Sequence, residues 1–317
     1  MKVLVYIEKA PVRGGIEVFA ERHVARLRAD GHEVEVAGDL ERDVGRYDEI
    51  VVHKCSDIAT LGRFPPGKTV YYVHDHEPIC PRGYAYTPFR KNCARPGGVW
   101  PCILCAPACR GWKAALGRVL SQRRRIAAMA RFKKIVVISE FMKSRLVANG
   151  LDAAKIEVNP PTLNSQLPTH NSELPTSPID LLYVGQLIRG KGVQLLLEAM
   201  AQMKTQRTLD IVGTGNMEGE LKAIAGRLGL EGRVRFNGFQ QCPQEWMRRA
   251  ACVVVPSFWQ EPYGLVAAEA VALGRPVVAF AIGGLPEACQ GKATLVPPGD
   301  VAALAAALDA SANEKSK

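Results

Sequence analysis

The chain has 317 residues, 47% hydrophobic and 23% charged, with a formal net charge of +10; that length exceeds one ordinary core and suits two domains of roughly 150 residues each. No window approaches the ~20 uninterrupted apolar residues of a membrane-spanning helix, and the opening Met1–Ile7 run is broken at once by Glu8 and Lys9, which argues against a signal peptide or anchor. A cytoplasmic protein is expected, whose nine cysteines are reduced, metal-bound or buried rather than paired.

Short β-branched runs alternate with amphipathic stretches: Lys2–Ile7, a helical pattern over Ile16–Ala29, then Glu33–Ala37, Glu49–His53, Thr69–Val73 and Lys134–Ile138. A Pro/Ser/Thr/Asn-rich passage from Asn159 to Pro178 breaks the periodicity and reads as a linker. The alternation resumes with Ile179–Val184, Thr208–Val212, Val234–Phe236, Cys252–Val255 and Pro276–Phe280, separated by helical windows such as Val193–Met203 and Gly219–Leu228. This pattern predicts an α/β protein of two Rossmann-like domains, each a parallel sheet flanked by helices, with a cleft between them. The divisions are 1–160, a linker over 161–178, and 179–317, with an insert at 78–112 in the first domain.

The basic excess is uneven. Residues 1–165 carry 27 Lys/Arg against 17 Asp/Glu, whereas 166–317 carry 14 of each. From Pro78 to Ser139 there are thirteen basic residues, including Arg123-Arg124-Arg125, and no carboxylate. Such a stretch is either a solvated basic helix or one that faces an anionic surface or ligand. An anionic membrane surface fits it, because ~1 kcal/mol per basic residue is available there; no nucleic-acid partner is expected.

The most informative segment is Val253-Val254-Val255-Pro256-Ser257-Phe258-Trp259-Gln260-Glu261-Pro262-Tyr263-Gly264-Leu265-Val266-Ala267-Ala268-Glu269. A strand leads into a loop stiffened by Pro262 and opened by Gly264, with a helix starting near Leu265. The N–H groups of Gly264, Leu265 and Val266, with the helix dipole, suit a diphosphate. Glu261 precedes them, and Glu269, one turn into the helix, leans back toward its start. Two carboxylates thus stand ready for two sets of hydroxyls. An exposed, functionless pair is the alternative.

At these residues the chain resembles glycosyltransferase family 4, with its Glu-x7-Glu motif. The resemblance extends to Gly185-Gln186-Leu187-Ile188-Arg189-Gly190-Lys191-Gly192, Val212-Gly213-Thr214-Gly215, Val234-Arg235-Phe236-Asn237-Gly238, Gly274-Arg275-Pro276 and Gly283-Gly284-Leu285-Pro286-Glu287. In the first half it takes in Gly14-Gly15-Ile16-Glu17 and Gly31-His32-Glu33-Val34. It implies the GT-B fold and a retaining, metal-independent transfer of a hexose-type sugar from a UDP- or GDP-sugar to a glycan or lipid-linked acceptor. Glu261 would meet the donor sugar, Glu269 the ribose and Lys191 the phosphates. Gly15 and Gly213 fall at donor-side turns. The family's usual arginine after Gly185 is replaced by Gln186, for which Arg189 is the nearest substitute. His74, after the Thr69–Val73 strand, would face the reacting sugar at the carboxyl edge of the sheet, where open α/β folds bind ligands; merely capping the strand is its plainer role. The resemblance further implies that the second domain, ending soon after Val301–Leu308, lacks terminal helices.

Asp75-His76-Glu77 imitates a metal-binding Asp-x-Asp motif, but two α/β domains with a metal-free phosphate site exclude that reading; His76 and Glu77 remain candidates for acceptor contacts. Cys80, Cys93, Cys102, Cys105 and Cys109 can supply four thiolates to a structural zinc, or lie reduced in the insert, with an iron–sulfur cluster as the third alternative. A nucleotide-sugar epimerase of the same fold and a catalytically impaired binding protein are the remaining functional alternatives. A nicotinamide enzyme is disfavoured, since Val212-Gly213-Thr214-Gly215 is only part of G-x-G-x-x-G.

Overall fold

The computed structural model describes residues 1–8, 15–40, 43–80, 82–83, 85, 92–93, 102, 105, 112–161 and 178–311. It divides into two compact units, Met1–Pro161 and Thr162–Lys317. The sequence-based linker falls almost wholly outside the described residues, as does most of the 78–112 insert.

The first unit runs β1 (Lys2–Ile7), α1 (Gly15–Ala29), β2 (Glu33–Ala37), β3 (Glu49–Lys54), α2 (Ile58–Arg63), β4 (Thr69–Val73), α3 (Trp112–Ala130), β5 (Lys134–Val137), α4 (Glu140–Val147) and β6 (Ile156–Val158). The strands form one sheet in the order β2-β1-β3-β4-β5-β6, every pair parallel. Its central strands are apolar on both faces because helices cover both. Leu4, Ile50, Val52, Tyr71 and Ile135 join one core, while Val3, Val5, Val51, Tyr72 and Val136 join the other, with Val24 and Phe19 of α1 packed on them. Ser139 caps α4 by accepting from the Met142 N–H at 3.0 Å, and Asp57 caps α2 by accepting from Thr60 at 2.7 Å.

The second unit repeats the plan with β7 (Ile179–Val184), α5 (Val193–Gln202), β8 (Leu209–Val212), α6 (Glu218–Arg227), β9 (Val234–Phe236), α7 (Pro243–Arg249), β10 (Ala250–Val255), α8 (Leu265–Ala272), β11 (Val277–Phe280), α9 (Leu285–Cys289), β12 (Thr294–Val296) and α10 (Val301–Ala310). Its sheet order is β12-β11-β10-β7-β8-β9, again parallel. The sequence pattern misses β6 and β12, three-residue strands at sheet edges.

The arginine triplet on α3 does not act as a unit. Arg123 and Arg124 are exposed, but Arg125 is 6% exposed. It donates to the Cys55 carbonyl and to Glu77 Oε1, each at 3.2 Å, and also to the Ser56 carbonyl. One third of the triplet therefore ties α3 to the loops after β3 and β4 and is lost to any surface role. Among the described residues no helix is long and apolar enough to cross a membrane.

Candidate donor and sugar sites

In the second unit the site is built where the loops after β7 and β10 dock on each other. Gly192 has φ +75°, and a Cβ there would lie 1.8 Å from the Pro256 carbonyl oxygen. Only glycine permits this approach. The Phe258 and Trp259 N–H groups donate to the Gly190 carbonyl at 3.1 and 3.3 Å. The consequence is a contact across 70 residues of sequence: Lys191 Nζ donates to Glu261 Oε1 at 2.6 Å. Ser257 Oγ donates to the same oxygen at 2.7 Å, and Nζ lies 5.2 Å from the centre of the Trp259 ring.

Glu261 is 7% exposed, so it is a buried carboxylate and not an exposed one on the loop surface. Burial works against its ionisation, but the Lys191 ammonium and the Lys191 and Ser257 hydrogen bonds outweigh it and hold the carboxyl below its usual range. Two turns buttress the loop. The Gly284 N–H donates to the Glu261 carbonyl at 2.8 Å, and a Cβ on Gly283 would come within 2.4 Å of that carbonyl oxygen. The sequence signals Gly283-Gly284 only as a motif; their work is to let one loop lie flat on another.

Helix α8 starts at Leu265 after Gly264, whose φ is +115°, and no side chain caps its start. The first-turn N–H groups of Leu265 and Val266 therefore follow directly on Glu261 as an anion-binding end. Glu269 is half-buried, and Gln244 Nε2 on α7 donates to its Oε2 at 3.1 Å. The other donor-side candidates fare differently. Gln186 is exposed. Arg189 Nη2 donates to both carboxylate oxygens of Glu220, at 2.9 and 3.1 Å, so a phosphate would have to draw it from that partner. A Cβ on Gly213 would lie 1.9 Å from the Gly185 carbonyl oxygen, a close approach of the loops after β7 and β8 that explains this glycine without a ligand.

In the first unit, Gly15 is exposed at the start of α1, and Gly14 lies outside the described residues. His74 follows β4 on the same face as Tyr72, and two further histidines, which the sequence reading does not single out, stand behind it. His53 Nδ1 lies 2.9 Å from His74 Nε2, and His53 Nε2 lies 3.0 Å from His23 Nδ1. Phe19 meets the His74 ring edge-on at 4.9 Å between centroids. Burial, with the nearby His23, pushes the His74 pKa down to about 3. Burial likewise holds His53 well below the usual range, reinforced by both neighbouring imidazoles. Beside them a cavity of about 10 Å³, room for one water, is lined by His53, His74, Lys54, Asp75, Glu77 and Arg125. Burial raises Asp75 to about 6, although it accepts from the Glu77 N–H at 2.8 Å. Glu77 faces this cavity, whereas His76 is buried and meets the Phe141 ring edge-on at 6.1 Å.

Burial raises the Cys105 thiol pKa against the hydrogen bond and charge of Arg82, with Cys80 and Cys93 adding smaller upward influences. Cys102 is buried, and Cys109 lies outside the described residues. Among the described residues no three His, Cys, Asp or Glu side chains are grouped to hold a metal ion. Cys55, Cys242, Cys252 and Cys289 are buried.

Residues 178–313 match the family model of glycosyl transferases group 1. That matched stretch lies within the second unit. An uncharacterized glycosyltransferase of Methanocaldococcus jannaschii is 38% identical over 111 residues, 34% of this chain and 28% of that relative, so the match spans about a quarter of the relative's length. Over the whole chain the fold is GT-B. Anabaena HepE, solved in complex with UDP and glucose, superposes with a TM-score of 0.71 at 21% identity, covering 99% of this chain and 90% of its own. WaaG, a glycosyltransferase involved in lipopolysaccharide biosynthesis, superposes with a TM-score of 0.63 at 18% identity, covering 98% and 90%.

Proposed function

We propose that this chain is a retaining, metal-independent glycosyltransferase that moves a hexose-type sugar from a UDP- or GDP-sugar, held by the second unit, to a glycan or lipid-linked acceptor held by the first. The observation that carries this reading is the pairing of the buried Glu261 with the half-buried Lys191 at 2.6 Å, just before the uncapped start of α8. Without ligand the ammonium neutralises Glu261. An arriving diphosphate offers Lys191 a stronger anion and the α8 N–H groups a partner. Glu261 is then left to accept hydrogen bonds from sugar hydroxyls while Glu269, steadied by Gln244, serves the ribose. As the leaving diphosphate gains charge in the transition state, Lys191 and the helix start stabilise it in place of a metal ion. His74 contributes a polar contact to the reacting sugar.

The solved relative holding UDP and glucose favours a nucleotide-sugar donor. The exposed Arg123 and Arg124 support an acceptor domain that sits on anionic lipid at the inner face of the membrane, and WaaG's part in lipopolysaccharide synthesis makes a lipid-linked acceptor reasonable. Zinc held by the insert cysteines would be structural and would take no part in this chemistry.

The test is nucleotide release from a panel of UDP- and GDP-sugars, with and without a membrane lipid extract. One nucleotide released only with the extract is expected. Binding of UDP or GDP without release from any donor would replace the transferase with a catalytically impaired binding protein. NMR of the product reports its anomeric configuration, and an inverted linkage would refute retention.

A further inference from the structure

We propose that His23, His53 and His74 form one tautomer-coupled chain that sets whether the outer nitrogen of His74 donates or accepts a hydrogen bond, with His23 and His53 as positioning residues. The role toward a sugar hydroxyl rests on the reading of His74 given above; the coupling itself does not.

The three rings are joined in series, Nδ1 of His23 to Nε2 of His53 at 3.0 Å and Nδ1 of His53 to Nε2 of His74 at 2.9 Å. His53 commits both ring nitrogens to its neighbours, so the cluster is built as a chain and not as a set of ligands converging on a metal. The fold imposes the alignment. Val51 and His53 of β3, and Tyr72 and His74 at the end of β4, fall on the face that α1 covers, and the side-chain period of two carries the apolar row Val51–Tyr72 into the histidines. The His53 and Tyr72 rings lie 4.7 Å apart between centroids, and His53 and His74 stack at 5.2 Å. Packing on both sides holds the ring planes.

Charge is excluded from the inner rings. Burial holds His53 and His74 neutral throughout the physiological range, and His23 is lowered as well, first by burial and then by Arg26, against the opposing influence of Glu49. The charged groups facing the His53–His74 end are Lys54, Asp75, Glu77 and Arg125 around the cavity. A neutral imidazole has one N–H and one lone pair. Two N–H···N bonds in series therefore admit only two arrangements. Either all three rings carry the proton on Nδ1, so that His74 Nδ1 donates outward, or all three carry it on Nε2, so that His74 Nδ1 accepts. Conversion moves one proton across each of the two bonds. A water at the half-exposed His23 end takes or supplies the balancing proton at Nε2, and the opposite exchange occurs at His74 Nδ1. His74 thereby changes its hydrogen-bonding sense without an imidazolium forming as the stable state.

The experiment is a two-bond proton–nitrogen correlation spectrum of the full chain labelled with ¹⁵N-histidine, at neutral pH. The expected result is three neutral rings of one tautomer, all Nδ1–H or all Nε2–H; a mixed set among these three overturns the proposal. On adding UDP-glucose, His23, which shares no hydrogen bond with His74 among the described residues, is expected to shift together with it. A tautomer change at His74 alone would contradict the coupling. In His53→Phe the link is cut, and the ligand response of His74 should no longer reach His23. If that variant does not fold, the spectrum of the native chain still decides. If neither UDP-glucose nor GDP-mannose moves any ring, the donor-sugar reading of His74 fails while the tautomer set continues to test the chain.

Discussion

Two buried polar clusters among the described residues, one in each unit, solve opposite problems. In the second unit, Glu261 is kept ionised in a nearly dry place by a lysine brought from 70 residues away. In the first, three histidines and Asp75 are held toward their neutral forms by burial itself. A fixed ion pair suits a ligand whose charge must be met. A set of neutral imidazoles suits hydroxyls, which need directional donors and acceptors and gain little from net charge. The division of chemistry between units thus follows from whether a counter-charge is supplied.

The sharpest way to break the comparison is to remove that counter-charge. Lys191→Met is expected to destabilise the second unit by about 3 kcal/mol in urea unfolding at pH 7, because an uncompensated carboxylate is left buried. Glu261 has a depressed folded pKa, so its stabilising contribution is present above the ordinary carboxylate range and lost as pH falls through the folded value. In the Lys191→Met protein the deficit should shrink as acid protonates Glu261.

Gly192→Ala attacks the same pair through the backbone. The new Cβ would meet the Pro256 carbonyl at 1.8 Å, and a loss of about 2–3 kcal/mol in thermal or urea unfolding is expected from positive φ and overpacking together. Gly274 has φ +68°, and a Cβ added there would find nothing within 4 Å, so Gly274→Ala should cost only about 1 kcal/mol.

Asp75→Asn should do the reverse in the first unit and stabilise it. Because the folded Asp75 holds its proton up to about 6, above its ordinary value of 3.8, stability is lost as pH rises between those values and the ionised form is the costly one. A gain of about 2 kcal/mol at pH 7, absent at pH 4, is the expected urea-unfolding result. The smallest effect on folding is expected from Arg123→Glu with Arg124→Glu, within about 0.5 kcal/mol, while cosedimentation with anionic vesicles falls. Vesicle binding unchanged at low salt would end the membrane reading.

Much of this architecture is legible in the sequence because each buried strand is a short β-branched run; Lys2–Ile7, Glu33–Ala37, Thr69–Val73, Ile179–Val184 and Val234–Phe236 are seen at their observed limits. The loop Pro256–Gly264 and the start of α8 at Leu265 are legible for a local reason: Pro, Gly and a following helical pattern determine them in place. Pairings are not local. That Lys191 meets Glu261 depends on β7 lying beside β10, and that His53 backs His74 depends on β3 lying beside β4. Both histidines stand at strand ends, which is the one signal available for them, but strand order is not written in either segment. Arg125 is hidden for a related reason, since three adjacent arginines on a helix point in different directions and only the packing of α3 shows which one turns inward.

If the Lys191–Glu261 pair is the resting state of a donor site, a diphosphate must compete for the lysine. Calorimetric titration of UDP and UDP-glucose, alongside GDP and GDP-mannose, into the native chain and into a folded Lys191→Met variant tests this most directly. The native chain is expected to bind one nucleotide family, and the variant to lose about tenfold or more in affinity for the free diphosphate. Equal affinity in both proteins would contradict the donor-site reading and leave the pair as a structural tie between two loops.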